Sequence, residues 1–157
     1  MKKLLERIKL CKLSPPQRRS LPYECYWEES ILTQEQERIF SNQWLGLGRS
    51  DRLENPGEYE VFELCGQALV LIRNQDKELR LYANTCRHRG AKLLDGTGQC
   101  QAISCPFHGW TYSLDGNLKH AKTMAENPSF DFEEHSLIEY KLKELQLSLI
   151  HISEPTR

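Results

Sequence analysis

No apolar run in this 157-residue chain is long enough to cross a membrane, and a net charge of −1 gives it no overall field for nucleic acid or an anionic surface. Internal repeats and low-complexity tracts are absent as well, which excludes solenoid and tail-like architectures. The opening Met1-Lys2-Lys3 carries the charge of a leader. However, Glu6, Arg7 and Lys9 interrupt the apolar positions Leu4, Leu5, Ile8 and Cys11, so the segment reads as an amphipathic helix. Arg18-Arg19 is followed by Leu21-Pro22-Tyr23-Glu24 where twin-arginine export needs an apolar stretch. Without a secretion signal the chain is expected in the cytoplasm. Of its six cysteines, Cys11, Cys25, Cys65 and Cys100 are expected to stay reduced, as small packing groups or exposed thiols. A hydrophobic content of 39% supports one ordinary core.

What the chain does have is Cys86-Arg87-His88-Arg89-Gly90 and, further on, Cys105-Pro106-Phe107-His108-Gly109-Trp110. The pattern is Cys-x-His followed by Cys-x-x-His. Structural zinc sites take ligands from Cys-x₂₋₄-Cys and His-x₃₋₅-His pairs, because two side chains must bend round one ion, and Cys-x-His is tight for that. In a [2Fe–2S] centre with two Cys on one iron and two His on the other, each loop gives its neighbouring ligands to different irons, and the short spacing suits the task. Cys86, His88, Cys105 and His108 are therefore the candidate ligands.

Around these loops the pattern is one of short strands. A first helix ends at Ser14-Pro15-Pro16, where proline withdraws a donor and constrains its predecessor. Thr33-Gln34-Glu35-Gln36 has the form of a capping box, which predicts a helix from Thr33 to about Trp44, with Trp44 in the core. Strands are predicted over 59–64, 68–73 and 78–84, the last running into Cys86. Residues 102–104 run into Cys105, 110–113 lead away from it, and Asp115-Gly116 marks a hairpin. Residues 138–143 alternate as a half-buried strand. His120 and His135 are read as surface or capping side chains.

The two motifs, with the flanking Asn84-Thr85 and Thr111-Tyr112 and the approach Trp44-Leu45-Gly46-Leu47-Gly48-Arg49, closely resemble the Rieske domain of the large subunit of ring-hydroxylating oxygenases, over residues 21–145. The resemblance implies a mainly β fold, a Rieske-type antiparallel β-sandwich with cluster-binding loops, preceded by two N-terminal helices. It puts Cys86 and Cys105 on the inner iron and His88 and His108 on the outer. Gly90, Pro106, Gly109, Trp110 and Tyr112 would surround them. Respiratory and photosynthetic Rieske proteins carry a disulfide at the places of Ala91 and Phe107 and a serine at that of Trp110. Their absence here disfavours that branch and implies a potential low in the range of roughly −150 to +300 mV for such centres, since donors to sulfur raise it.

In the resembling family the cluster passes single electrons to a mononuclear Fe(II) held by two His and a carboxylate in a second domain, which would begin after Leu145. The resemblance further implies a ferredoxin or flavin reductase as electron donor, a homotrimer for the full subunit, N-terminal helices packed partly on that second domain, and no nucleic acid or membrane partner. Arg87, Arg89 and Lys92 are read as a local basic patch beside His88 that guides an acidic donor, with the alternative that they are solvated or bind the second domain; the resemblance favours Arg89 facing a neighbouring subunit. Two alternatives stay open. A free Rieske ferredoxin would not need the roughly fifty residues before the sheet. A zinc-binding interaction module would be colourless where Rieske protein is red-brown. Substrate is not legible.

The last eleven residues, Leu147-Ser148-Leu149-Ile150-His151-Ile152-Ser153-Glu154-Pro155-Thr156-Arg157, resemble the translation of a transposon-based sequencing adapter. They are expected to be an artificial tail. The expected organisation is residues 1–45 as N-terminal helices and linker, 46–146 as the Rieske domain, and 147–157 as that tail.

Overall fold

A computed structural model describes residues 2–122, 124, 126–145 and 148–155. The chain forms two compact units, residues 1–39 and 40–157. In the first, helix α1 spans Lys2–Lys9 and helix α2 spans Glu29–Arg38. The predicted cap at Thr33 is wrong. Thr33 lies inside α2, where its hydroxyl donates to the Glu29 carbonyl at 2.9 Å, a back-bond open to any helical threonine. Glu28, in an extended conformation, precedes the helix, which ends at Arg38 well short of Trp44. Trp44 itself is 45% exposed and not core.

In the second unit every strand pair is antiparallel. Its strands are β1 (Leu45–Arg49), β2 (Glu58–Leu64), β3 (Gln67–Arg73), β4 (Leu79–Ala83), β5 (Thr97–Gln99), β6 (Ile103–Ser104), β7 (Thr111–Tyr112), β8 (Leu118–His120), β9 (Glu139–Leu145) and β10 (Ser148–Pro155). Seven form one sheet in the order β1-β10-β9-β4-β3-β2-β5, and β6-β7-β8 form a smaller one. The β2–β3 hairpin closes through Cys65-Gly66 with φ of 52° and 76°, the paired positive values that a tight two-residue hairpin loop requires.

Strand β3 explains how the layers stack. Its side chains alternate between faces, so Val70 and Ile72 join one apolar cluster while Leu69 and Leu71 join another. The first cluster also takes Tyr82 from β4, Ile103, Tyr112 and Leu118 from the small sheet, and Cys86, Cys105 and Trp110 from the motif loops. The small sheet and both loops thus pack on one face of the large sheet. Buried Asn74 ties the two layers at a corner. Its amide donates to Asp115 Oδ1 at 2.9 Å and its Oδ1 accepts from the Glu78 N–H at 2.7 Å.

Strands β1, β5, β8 and β10 were not predicted, being glycine-interrupted, very short, or in the adapter-like segment. Residues of β10 pair with β1 and β9. A backbone ladder accepts nearly any sequence, so this pairing says nothing of where those residues come from.

Candidate metal centre

Both motif loops are hairpin tips. The first leaves β4 and is closed by the bridge Thr85–Lys92 and by the Cys86 N–H donating to the Ala91 carbonyl at 2.8 Å. Within it the Gly90 N–H donates to the Cys86 carbonyl at 2.9 Å. The second joins β6 to β7. There the Cys105 N–H donates to the Trp110 carbonyl at 2.7 Å and the Gly109 N–H to the Cys105 carbonyl at 3.0 Å. Asn84, fully buried, staples the base of the first loop, accepting from the Leu94 N–H at 3.0 Å and donating to the Leu94 carbonyl at 2.8 Å.

These tips bring the four candidate side chains together as two pairs. Cys86 and Cys105 are buried and belong to the same apolar cluster. His88 and His108 lie outward of them, with ring centroids 4.8 Å apart; His108 is exposed. Among the described residues, no three or more His, Cys, Asp or Glu side chains converge on a single ion position. A two-iron centre with two ligands per iron takes its donors as two pairs.

Protonation states follow from burial. Burial pushes the Cys86 thiol up, partly offset by its hydrogen bond to Tyr112. A buried thiolate pair without a cation would be costly, so the pair suits a positively charged group. Desolvation, then the charges of His108 and Arg89, hold the His88 imidazole below its usual value. A neutral ring keeps a lone pair for a metal. Its Nδ1 is buried without a hydrogen-bond partner among the described residues.

Tyr112 bridges the loops from below. Its hydroxyl accepts from the Arg87 N–H at 3.0 Å and lies 3.3 Å from Cys86 Sγ. With that N–H occupying one lone pair, the hydroxyl proton is available to the sulfur. Trp110, 2% exposed, stacks on His88 at 4.8 Å with 12° between the planes. Pro106 and Phe107 are exposed on the second tip, and the Phe107 ring sits 4.2 Å from His108.

Of the basic residues, Lys92 pairs with Asp95 and Arg87 Nη2 reaches the Glu134 carbonyl at 3.4 Å, while Arg89 is exposed on the tip. His120 is exposed. His135 bonds the Asp131 carbonyl through Nδ1 at 2.7 Å. It also packs on Trp110, a contact that nothing in the sequence announced. Phe130, unremarked in the sequence, lies 5.6 Å from Trp110.

No helix among the described residues is long and apolar enough to cross a membrane. Comparison with known proteins gives this arrangement a family. The Rieske [2Fe-2S] domain matches residues 43–136. The carnitine monooxygenase oxygenase subunit of Escherichia coli (strain K12) is 35% identical over 132 residues, 83% of this chain and 35% of that protein. The chloroplastic choline monooxygenase of Amaranthus tricolor is 35% identical over 121 residues, 77% of this chain and 27% of that protein. The crystal structure of the quaternary ammonium Rieske monooxygenase CntA with L-carnitine superposes with a TM-score of 0.79 at 33% identity, covering 85% of this chain and 38% of that one. The chain therefore spans about a third of the length of the curated relatives it matches. With its two Cys/His loops and the match across both of them, the chain belongs to the Rieske [2Fe-2S] domain family.

Proposed function

We propose that this chain is the electron-entry module of a Rieske non-haem iron oxygenase, with Cys86 and Cys105 as ligands to the inner iron and His88 and His108 to the outer. The observation that carries the assignment is the separation of the four side chains into a buried thiol pair and an outward imidazole pair. The donor set fits the cluster: soft thiols lie in an apolar pocket, and a neutral imidazole has an unpartnered nitrogen. When bound, the cluster supplies reversible one-electron redox chemistry. The protein's part is to bury the thiolate side, present the histidine side to a partner, and hold both loops rigid.

Anaerobic reconstitution with iron and sulfide tests the assignment. The chain should turn red-brown and give the EPR signal of a mixed-ligand [2Fe–2S] centre on reduction. Cys86→Ala or Cys105→Ala should abolish iron binding, and Cys100→Ala should not. A colourless zinc protein, or loss of the cluster in Cys100→Ala, overturns it.

For the whole protein we assign oxygenation of an organic substrate at a mononuclear Fe(II) in a further domain, in the cytoplasm, as a homotrimer fed by a ferredoxin or flavin reductase. The support is kinship with oxygenase subunits of which this chain covers about a third. The first substrates to try are carnitine and choline, the compounds in the names of two relatives. Substrate-dependent oxygen uptake by the full-length protein with a reductase is the test, and a protein that only relays electrons to a third protein would refute it. Residues 147–157 are held apart from this reading as adapter-derived. Resequencing the source by a different library method should replace them, and recovery of the same ending would refute that.

A further inference from the structure

The plane of the His88 ring is not fixed by its own bonds. The torsion that turns an imidazole is broad, and His88 Nδ1 makes no hydrogen bond among the described residues and is left for the iron, so the plane of the ring is set by what packs on its faces. Two rings meet it, the parallel face of Trp110 at 4.8 Å and His108 edge-on at 4.8 Å, and of the two only Trp110 is buried. Trp110 is in the same position, since its Nε1 is buried and has no hydrogen-bond partner among the described residues. Its orientation rests on packing. The indole meets Phe130 at 5.6 Å and 80° and His135 at 5.7 Å and 69°, and those two rings lie 4.4 Å from each other.

The segment that brings these two rings is itself anchored. A carbonyl oxygen only accepts, so the 2.7 Å contact between His135 Nδ1 and the Asp131 carbonyl puts the proton on Nδ1 and fixes the ring. Asp131 Oδ1 accepts from the Glu133 N–H at 2.7 Å, Phe130 and Phe132 pack into the core, and the Leu137 N–H donates to the Gly116 carbonyl at 2.8 Å. The same segment receives Arg87 at the Glu134 carbonyl, on the other motif loop. It therefore touches both sides of the centre from a part of the chain that holds no ligand.

We propose that Phe130 and His135 are positioning residues for the histidine side of the cluster, acting through Trp110 on the plane of His88. This rests on the ligand assignment above. Preorganised ligand orientation and exclusion of water set the electronic properties of such a centre as much as the ligands do. Loosening Trp110 should admit water beside the outer iron. Water favours the more highly charged state, which with two thiolate ligands is the reduced one, so the potential should rise.

The test is made on the reconstituted full chain, reading the EPR g-values and linewidths of the reduced centre and its midpoint potential. Phe130→Ala and His135→Ala should broaden and shift the signal and raise the potential, with iron content per chain retained. His135→Phe, which keeps a ring, should return both readouts toward the unsubstituted chain, and Glu133→Ala in the same segment should leave them unchanged. If the alanine variants fail to fold, Phe130→Leu carries the same expectation in milder form. An unsubstituted chain without the mixed-ligand signal sinks the ligand assignment, and this inference with it. A normal signal in the unsubstituted chain that Phe130→Leu and every folded alanine variant leave unmoved, or that Glu133→Ala moves equally, sinks this inference alone.

Discussion

Gly90 and Gly109 hold the same place in the two motif loops. Each stands four residues after a cysteine, each donates its N–H to that cysteine's carbonyl, at 2.9 and 3.0 Å, and their φ angles are 70° and 69°. One five-residue turn is thus used twice, although the histidine falls two residues after the cysteine in one copy and three in the other.

Replacing either glycine with alanine should cost only the left-handed conformation, about 1–2 kcal/mol, because no atom lies within 4 Å of either added Cβ. Gly57→Ala should cost clearly more. Its φ is 84° and its Cβ would stand 2.1 Å from the Cys100 carbonyl oxygen, a backbone atom that cannot step aside. Urea unfolding of the three variants checks the order, and a Gly57 cost no greater than the other two would contradict it.

Tyr112→Phe should lower the midpoint potential while leaving the cluster in place. It removes the hydroxyl 3.3 Å from Cys86 Sγ, and a donor to sulfur favours the reduced state. One hydrogen bond worth about 1 kcal/mol corresponds to a fall on the order of 40 mV for a one-electron couple. Potentiometric titration followed by visible absorbance measures it; an unchanged or raised potential would count against donation to sulfur.

Asn84→Ala should destabilise the chain by about 1–3 kcal/mol, since it strips both the N–H and the carbonyl of half-buried Leu94 of their partner. Cluster occupancy should fall with it, because the first motif loop loses its staple. Denaturant midpoints and iron content per chain measure the two effects. Loss of stability with full occupancy would separate the staple from the site.

Reversing the charges of Arg87 and Arg89 in the full-length protein should slow reduction by an acidic donor at low salt and shrink the salt dependence, with the cluster's spectrum unchanged. Steering acts on encounter rate, and its range falls from about 10 Å at 0.1 M to about 3 Å at 1 M. Lys92, already paired with Asp95, should contribute less than Arg89. Stopped-flow rates across that salt range decide it, and rates indifferent to the substitutions leave the patch without a docking role.

The sequence by itself determined what is local. Each motif loop carries its cysteine, its histidine and its turn glycine within five residues, so the loop type and the kind of cofactor were legible before any fold was known. The hairpin at Asp115-Gly116 was legible for the same reason, since tight turns demand particular residues at fixed offsets. Local rules misled at Thr33, where a capping pattern fell inside a helix, and at Trp44, whose size argued for burial it does not have. Only the tertiary structure decided which distant groups meet: Tyr112 with Cys86, twenty-six positions away, Asn74 with Asp115, and His135 with Trp110. Those meetings depend on which face of β3 receives the small sheet and on how the later segment returns across it. Such choices arise from summed burial over the whole chain, and no short window of sequence contains them.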